Sequence, residues 1–170
     1  PSNPSRWLNF LAGFLVLGIF LRVLAALYMG NYVEELPGTA DQISYNLLAT
    51  RVLEGHGFTF DQMWWPVTRA GEPTAHWSYL YTFYLVGVYS VFGENPLAAR
   101  ILQAILVGLL QPLLVYRIGK VIFGRKPALI AAGLSSFYIY FIYYAGALMT
   151  EPFYITCILA AVLLSIEMTL

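Results

Sequence analysis

The chain has 170 residues, of which 59% are apolar and 11% charged, and its mean hydropathy is +0.69. That composition excludes an ordinary soluble domain and points to a polytopic membrane protein. A formal net charge of zero excludes a basic nucleic-acid surface, and the single Cys157, set in an apolar stretch, excludes an internal disulfide framework.

In chain order, residues 7–28 form a first apolar stretch long enough to cross a bilayer and too long for a signal-peptide core. Arg22 interrupts it about two turns from its end. Two readings of that arginine stand. It snorkels to the interface, at an insertion cost of ~2.5–3.5 kcal/mol or less, or it faces a cavity and pairs with a phosphate through its planar fork.

A long loop follows over residues 30–96. It holds seven acids (Glu34, Glu35, Asp41, Glu54, Asp61, Glu72, Glu94) and two bases. Thr39 and Gln42 match a capping box, so a helix is expected over about 40–54, closed by Gly55. The stretch from Phe60 to Pro73, with Trp64 and Trp65, reads as irregular chain against lipid headgroups. "HWSYLYTFYLVGVYSVF", residues 76–92, is apolar but short for a span, and its five Tyr and Trp side chains suit an interfacial helix.

Further spans are expected over 97–116, 128–149 and 153–170. Between the first two lies "YRIGKVIFGRK", with Arg117, Lys120, Arg125 and Lys126 and no acid. The positive-inside rule puts this turn and Arg6 in the cytoplasm and the acidic 30–96 loop outside, provided residues 76–92 do not cross. The expected fold is therefore an all-α membrane protein with four transmembrane helices, and with interfacial helices in a long first outer loop. The expected setting is a bacterial plasma membrane. Because the chain opens on Pro1 and stops in "LLSIEMTL", it reads as the front part of a longer protein, a single transmembrane unit over 1–170.

The chemistry-bearing residues are few. Asp41 stands in the first turn of the expected loop helix, where an acid is also explained by the helix dipole alone. Tyr45 and Ala49 share its face at four-residue spacing and could wall a pocket. Glu151 follows a plausible N-cap at Thr150 and is the only acid between Lys126 and Ile166, at the outer turn "MTEPF". The two carboxylates could hold a divalent cation, Mg²⁺, Mn²⁺ or Zn²⁺, or divide base and positioning roles between them. His56 and His76 read first as polar loop residues. Tyr144, in the aromatic run "SSFYIYFIYYAG", is a packing residue or a hydroxyl that bonds a sugar or phosphate.

The sequence of elements "LRVLAALY", "DQISYNLLATRVLEGHGFTF", "SVFGENPLAARILQAILVGLL", "VYRIGKVIFGRKPALIAAGL" and "YYAGALMTEPF" resembles the N-terminal half of GT-C-fold glycosyltransferases. The likeness is to family 39 and the dolichyl-phosphate-mannose protein mannosyltransferase-like group, which includes the lipid A aminoarabinose transferases. It implies transfer of a sugar from a polyprenyl-phosphate donor to a protein or lipid acceptor at the outer or lumenal face. It also implies that Asp41 acts at the centre of the site and Glu151 as a second acid; Arg22, Tyr45, His56 and Tyr144 are expected as substrate contacts from their own chemistry and position. Many relatives carry a second acid directly after the first, where this chain has Gln42. The competing expectations are a non-catalytic accessory or scaffold subunit and a transporter fragment; against the second, the polar residues cluster in the expected outer loops rather than at mid-membrane broken helices.

Overall fold

The computed structural model describes residues 4–66 and 68–169, with side chains from Trp7 onward. Leu170 and the side chain of Arg6, both used above, lie outside them. Seven helices follow in order among the described residues: α1 (Pro4–Met29), α2 (Asp41–Leu53), α3 (Tyr79–Phe92), α4 (Pro96–Phe123), α5 (Arg125–Phe137), α6 (Ile139–Gly146) and α7 (Glu151–Thr169). Helices α1, α4 and α7 are long and apolar enough to cross a membrane, and the bent pair α5–α6 makes a fourth span if taken as one. The protein is an all-α integral membrane protein. The described residues divide into two compact units: residues 4–28, 100–146 and 151–169 form one, and the described residues of 29–99 with 147–150 form the other.

The spanning unit is governed by hydrogen bonding where water is scarce. Residues 128–149 read as one straight span, yet the helix breaks at Tyr138, which is extended (φ −66°, ψ 117°), and α6 leaves at 48° to α5. A helix end frees its last four carbonyls, and in lipid each needs a donor from the protein. Arg22 supplies donors. Its Nη1 donates to Ser136 O (3.0 Å) and to Gly18 O of its own helix (3.0 Å), while Nη2 donates to Ser135 O (3.1 Å). The side chain is fully buried.

A glutamine from α4 does the same at the end of α6, and a second one ties α4 to α7. Gln103 Nε2 donates to Tyr144 O (3.2 Å) and Ala145 O (3.0 Å), carbonyls of the last turn of α6. Gln111 Nε2 donates to Pro152 O (3.1 Å) in the first turn of α7. Both glutamines are buried. Close backbone approach makes this reach feasible. A Cβ on Gly108 would stand 3.0 Å from the Ile19 side chain and 3.1 Å from Arg22 Cδ, and one on Gly146 would stand 3.0 Å from the Ala25 backbone. Small residues at such crossings are how membrane helices pack without a hydrophobic drive between them.

The second unit is built on α2 against α3. Tyr45, Leu48 and Ala49 of α2 bury against the face of α3 that holds Tyr81, Leu85, Val88 and Tyr89. Tyr45 meets Tyr81 edge-on at 4.9 Å, and Tyr89 Oη donates to Asn46 Oδ1 at 2.6 Å. Helix α2 closes as expected, with Gly55 left-handed (φ 82°). His56 N donates to Arg51 O and Gly55 N to Val52 O, the paired bonds of a Schellman ending. Helix α3 begins at Tyr79 rather than His76, because Ser78 caps it by accepting from Tyr81 N. At 14 residues it measures ~21 Å, short of the ~30 Å hydrocarbon core.

Replacing Arg22 by Met leaves the carbonyls of Ser135 and Ser136 without their donors, and stability against denaturing detergent is expected to fall by about 2–4 kcal/mol. Arg22→Lys is expected to recover less than half, since an ammonium lacks the fork that reaches two carbonyls. Unfolding followed by circular dichroism in micelles measures both; unchanged stability in Arg22→Met would show the break to be closed by other groups.

Candidate functional site

Asp41 is placed by a turn that the sequence encodes. In "LPGT", Pro37 and Gly38 (φ 83°) occupy the middle of a turn in which Thr39 N donates to Leu36 O at 3.0 Å. Proline then glycine is the type II signature, glycine being favoured where φ is positive. The turn delivers Thr39, whose hydroxyl accepts from Asp41 N at 3.1 Å. The expected capping box is only half present. Helix α2 starts at Asp41, and its N-cap, Ala40, makes no side-chain cap bond. Gln42 does not reach back to Thr39, because its amide is used elsewhere. Its Nε2 donates to Glu34 O and its Oε1 accepts from Leu148 N at 3.3 Å.

Over the start of α2 lies a hollow of about 710 Å³. Its floor is Thr39, Ala40, Asp41 and Ser44; its wall is Trp64, Trp65, His76 and Trp77, with Glu35 and Gly38 at the rim. The wall is stitched together. Trp64 Nε1 donates to Ser44 Oγ at 2.8 Å, and its ring stacks on the fully buried Phe60 at 5.3 Å. His76 meets both Trp65 (6.1 Å) and Trp77 (5.1 Å) edge-on. The segment expected to be irregular is held by a bridge between Thr59 and Pro73 and another between Trp64 and Thr68. Its tryptophans therefore serve the hollow. Trp65 also stays largely exposed.

Of the residues expected to form the site, Asp41 lines the hollow, half-buried, and His76, read from sequence as a polar loop residue, lines it too. Tyr45, expected on a pocket wall, is buried between Trp77 and Tyr81, and its hydroxyl accepts from Ser78 N at 3.4 Å. His56 is exposed beyond the end of α2, with Nε2 3.8 Å from the Glu54 carboxylate. Arg22, read as snorkelling or phosphate-binding, instead donates to carbonyls inside the spanning unit. Tyr144 lies there too, edge-on to Tyr143 at 5.4 Å. Glu151 opens α7 as expected, with Pro152 beside it in the first turn, where a missing N–H costs nothing.

Residues 77–169 match the family of dolichyl-phosphate-mannose-protein mannosyltransferases. The chain belongs to that family. No curated protein and no solved structure matches it. At the coarse level this gives a membrane protein of glycosyltransferase type. The matched segment runs from Trp77 on the hollow's wall through α7, so it includes Tyr144 and Glu151 while Asp41 precedes it.

Among the described residues no three His, Cys, Asp or Glu side chains gather as ligands. The hollow itself offers Asp41, Glu35 and His76 without such a cluster.

Sequence reasoning passed over Glu35, Ser44 and Trp77 as wall residues and took Trp64, Trp65 and His76 for loop and headgroup contacts. The available signal was the density of aromatics between Phe58 and Tyr84, more than an interfacial belt needs.

Gln42→Glu sets a carboxylate oxygen against Glu34 O, where an N–H now donates. It is expected to cost about 1–3 kcal/mol of stability, with Gln42→Met costing no more than that, as read by thermal unfolding in detergent. An equally stable Glu variant would show that the amide's two bonds are dispensable.

Proposed function

We propose that this protein transfers a sugar from a polyprenyl-phosphate-linked donor to an acceptor hydroxyl at the outer or lumenal face of the membrane, with Asp41 as the group that takes the proton. One observation carries the reading: in a chain of this family, an acid at the start of a helix forms the floor of a hollow walled by three tryptophans and a histidine. Its volume of about 710 Å³ sits inside the ~300–1,000 Å³ range of ligand pockets, enough for a sugar and the group that attacks it. Indole faces suit the apolar C–H face of a sugar ring, and the carboxylates of Asp41 and Glu35 suit its hydroxyls.

The chemistry requires little more. The acceptor oxygen forms a bond to the anomeric carbon as the carbon–oxygen bond to phosphate breaks, and the electron pair leaves with the polyprenyl phosphate. The acceptor's proton passes to the Asp41 carboxylate. A phosphate leaving group needs no proton donor, so a single positioned base suffices. Glu151 is proposed as a second acid; it follows directly on the 147–150 turn, whose Leu148 N–H is held by Gln42.

Access by a lipid-borne donor is supported by α3. Its face away from α2 presents Leu80, Phe83 and Val91, all exposed and apolar, and Met63 and Trp65 are exposed in the same unit. A short helix with that face fits the membrane–water interface, beside which a donor arrives laterally. The excess of acids in this loop and of bases in the turn after α4 supports an outer position for it.

The test is glycosyl transfer from radiolabelled polyprenyl-phosphate sugars by the protein in liposomes. Asp41→Asn is expected to lower turnover by about 10²-fold or more while leaving the thermal midpoint near that of wild type. Trp65→Ala is expected to raise KM more than it lowers kcat, because it removes a face that holds the sugar in ground and transition states alike. Undiminished turnover in Asp41→Asn would remove the assignment, and no transfer from any lipid-linked sugar would favour a scaffold role.

A further inference from the structure

At one end of the spanning unit a second, smaller cavity of about 120 Å³ is lined by Trp7 and Leu8 of α1, Tyr116 and Lys120 of α4, and Arg125 of α5. Helices α4 and α5 meet closely there, since a Cβ on Gly119 would lie 3.0 Å from Ala128 Cα. Beneath it Trp7 and Tyr116 pack on a core of Leu11, Leu129 and Ala132.

The charges around this cavity are unbalanced. Arg117 has its own partner, Glu167, at 2.6 Å on the exposed surface. No ion pair or hydrogen bond of either the Lys120 or the Arg125 side chain exists among the described residues, and no acid lines the cavity. Arg125 also stands where a cation is least welcome. It opens α5, whose N-cap is Gly124 with no side-chain cap bond and whose first turn contains no acid. A helix N-terminus carries partial positive charge and free N–H groups, so a base there is repelled unless an anion joins it.

We propose that this cleft holds the phosphodiester headgroup of an anionic membrane lipid. Lys120 and the Arg125 fork flank the phosphate, and the N–H groups of Arg125 and Lys126 open α5 beside it, Pro127 having none. Trp7 and Tyr116 mark the depth of the membrane–water boundary, and Leu8, largely exposed, meets the acyl chains. The size fits: about 120 Å³ equals roughly four water volumes of ~30 Å³, enough for a phosphate and too little for a sugar beside it. This site is separate from the hollow over Asp41 and does not depend on the proposed transfer reaction.

The experiment is native mass spectrometry of the purified protein released from phosphatidylcholine nanodiscs containing increasing phosphatidylglycerol. Wild type is expected to retain one phosphatidylglycerol in preference to phosphatidylcholine. In Lys120→Gln/Arg125→Gln that preference is expected to weaken roughly 10- to 30-fold, at about a factor of five for each base near the surface. Lys126→Gln, which removes a neighbouring base outside the cavity, is expected to keep it, and Lys120→Arg/Arg125→Lys to restore most of it. Equal retention in the double Gln variant, or equal loss in Lys126→Gln, would overturn the site in favour of diffuse attraction. Millimolar glycerol phosphate displacing the lipid would overturn the lipid assignment and leave a site for a soluble phosphate.

Discussion

A backbone carbonyl freed inside a bilayer has no water to turn to, and the spanning unit is arranged around that fact. The kink at Tyr138 stands because the Arg22 guanidinium reaches two carbonyls at the end of α5 while bonding a third on its own helix. Gln103 serves the end of α6 and Gln111 the start of α7. Arg22 and Gln103 thus perform in lipid what solvent does for a soluble helix end. Their cost of burial is offset because they donate into carbonyls freed at the ends of α5 and α6, whereas Gln111 adds a second side-chain donor to Pro152 O beside Thr156 Oγ1. The glycines at close helix approaches are part of the same device, since Gly108 leaves the space that the stem of Arg22 fills.

The second unit solves a different problem, that of holding an aromatic-lined hollow open. Helix α2 is fixed to α3 by aromatic packing around Tyr45, and the Thr59–Pro73 segment is folded back by short bridges and pinned by Trp64 on Ser44. Rigid aromatic walls let a small loop region present a carboxylate without collapsing onto it. Gln42 is the counterpart on the other side: buried next to Asp41, it spends both ends of its amide on backbone groups of Glu34 and Leu148. A carboxylate at that position could accept from Leu148 N but has no N–H to donate to Glu34 O, which suits an amide there.

Some of this was legible in the residues and some was not. The apolar runs located the spanning helices, and Gly55 located the end of α2, because a left-handed residue after a helix is a local requirement. Asp41 stood out for its place in a first turn, and it is on the floor of the hollow. Tyr45 was drawn to the same site by its spacing, yet four-residue spacing fixes only a helix face, and the face is buried against α3. Arg22 invited a ligand because a lone charge in a span demands a partner, but the partner was backbone. No sequence pattern announces which carbonyls a distant helix break will leave open.

What the sequence by itself determined is what local physics decides: hydrophobic length makes the spans, Pro-Gly makes the turn before α2, and the run of bases marks one end of the helices. The tertiary structure alone decided the kink at Tyr138, the assembly of Trp64, Trp65, His76 and Trp77 over Asp41, and the meeting of Lys120 and Arg125 with Trp7 and Leu8 of α1. Each of these depends on side chains far apart in the chain finding one another, through distances and donor directions that exist only once the helices have packed.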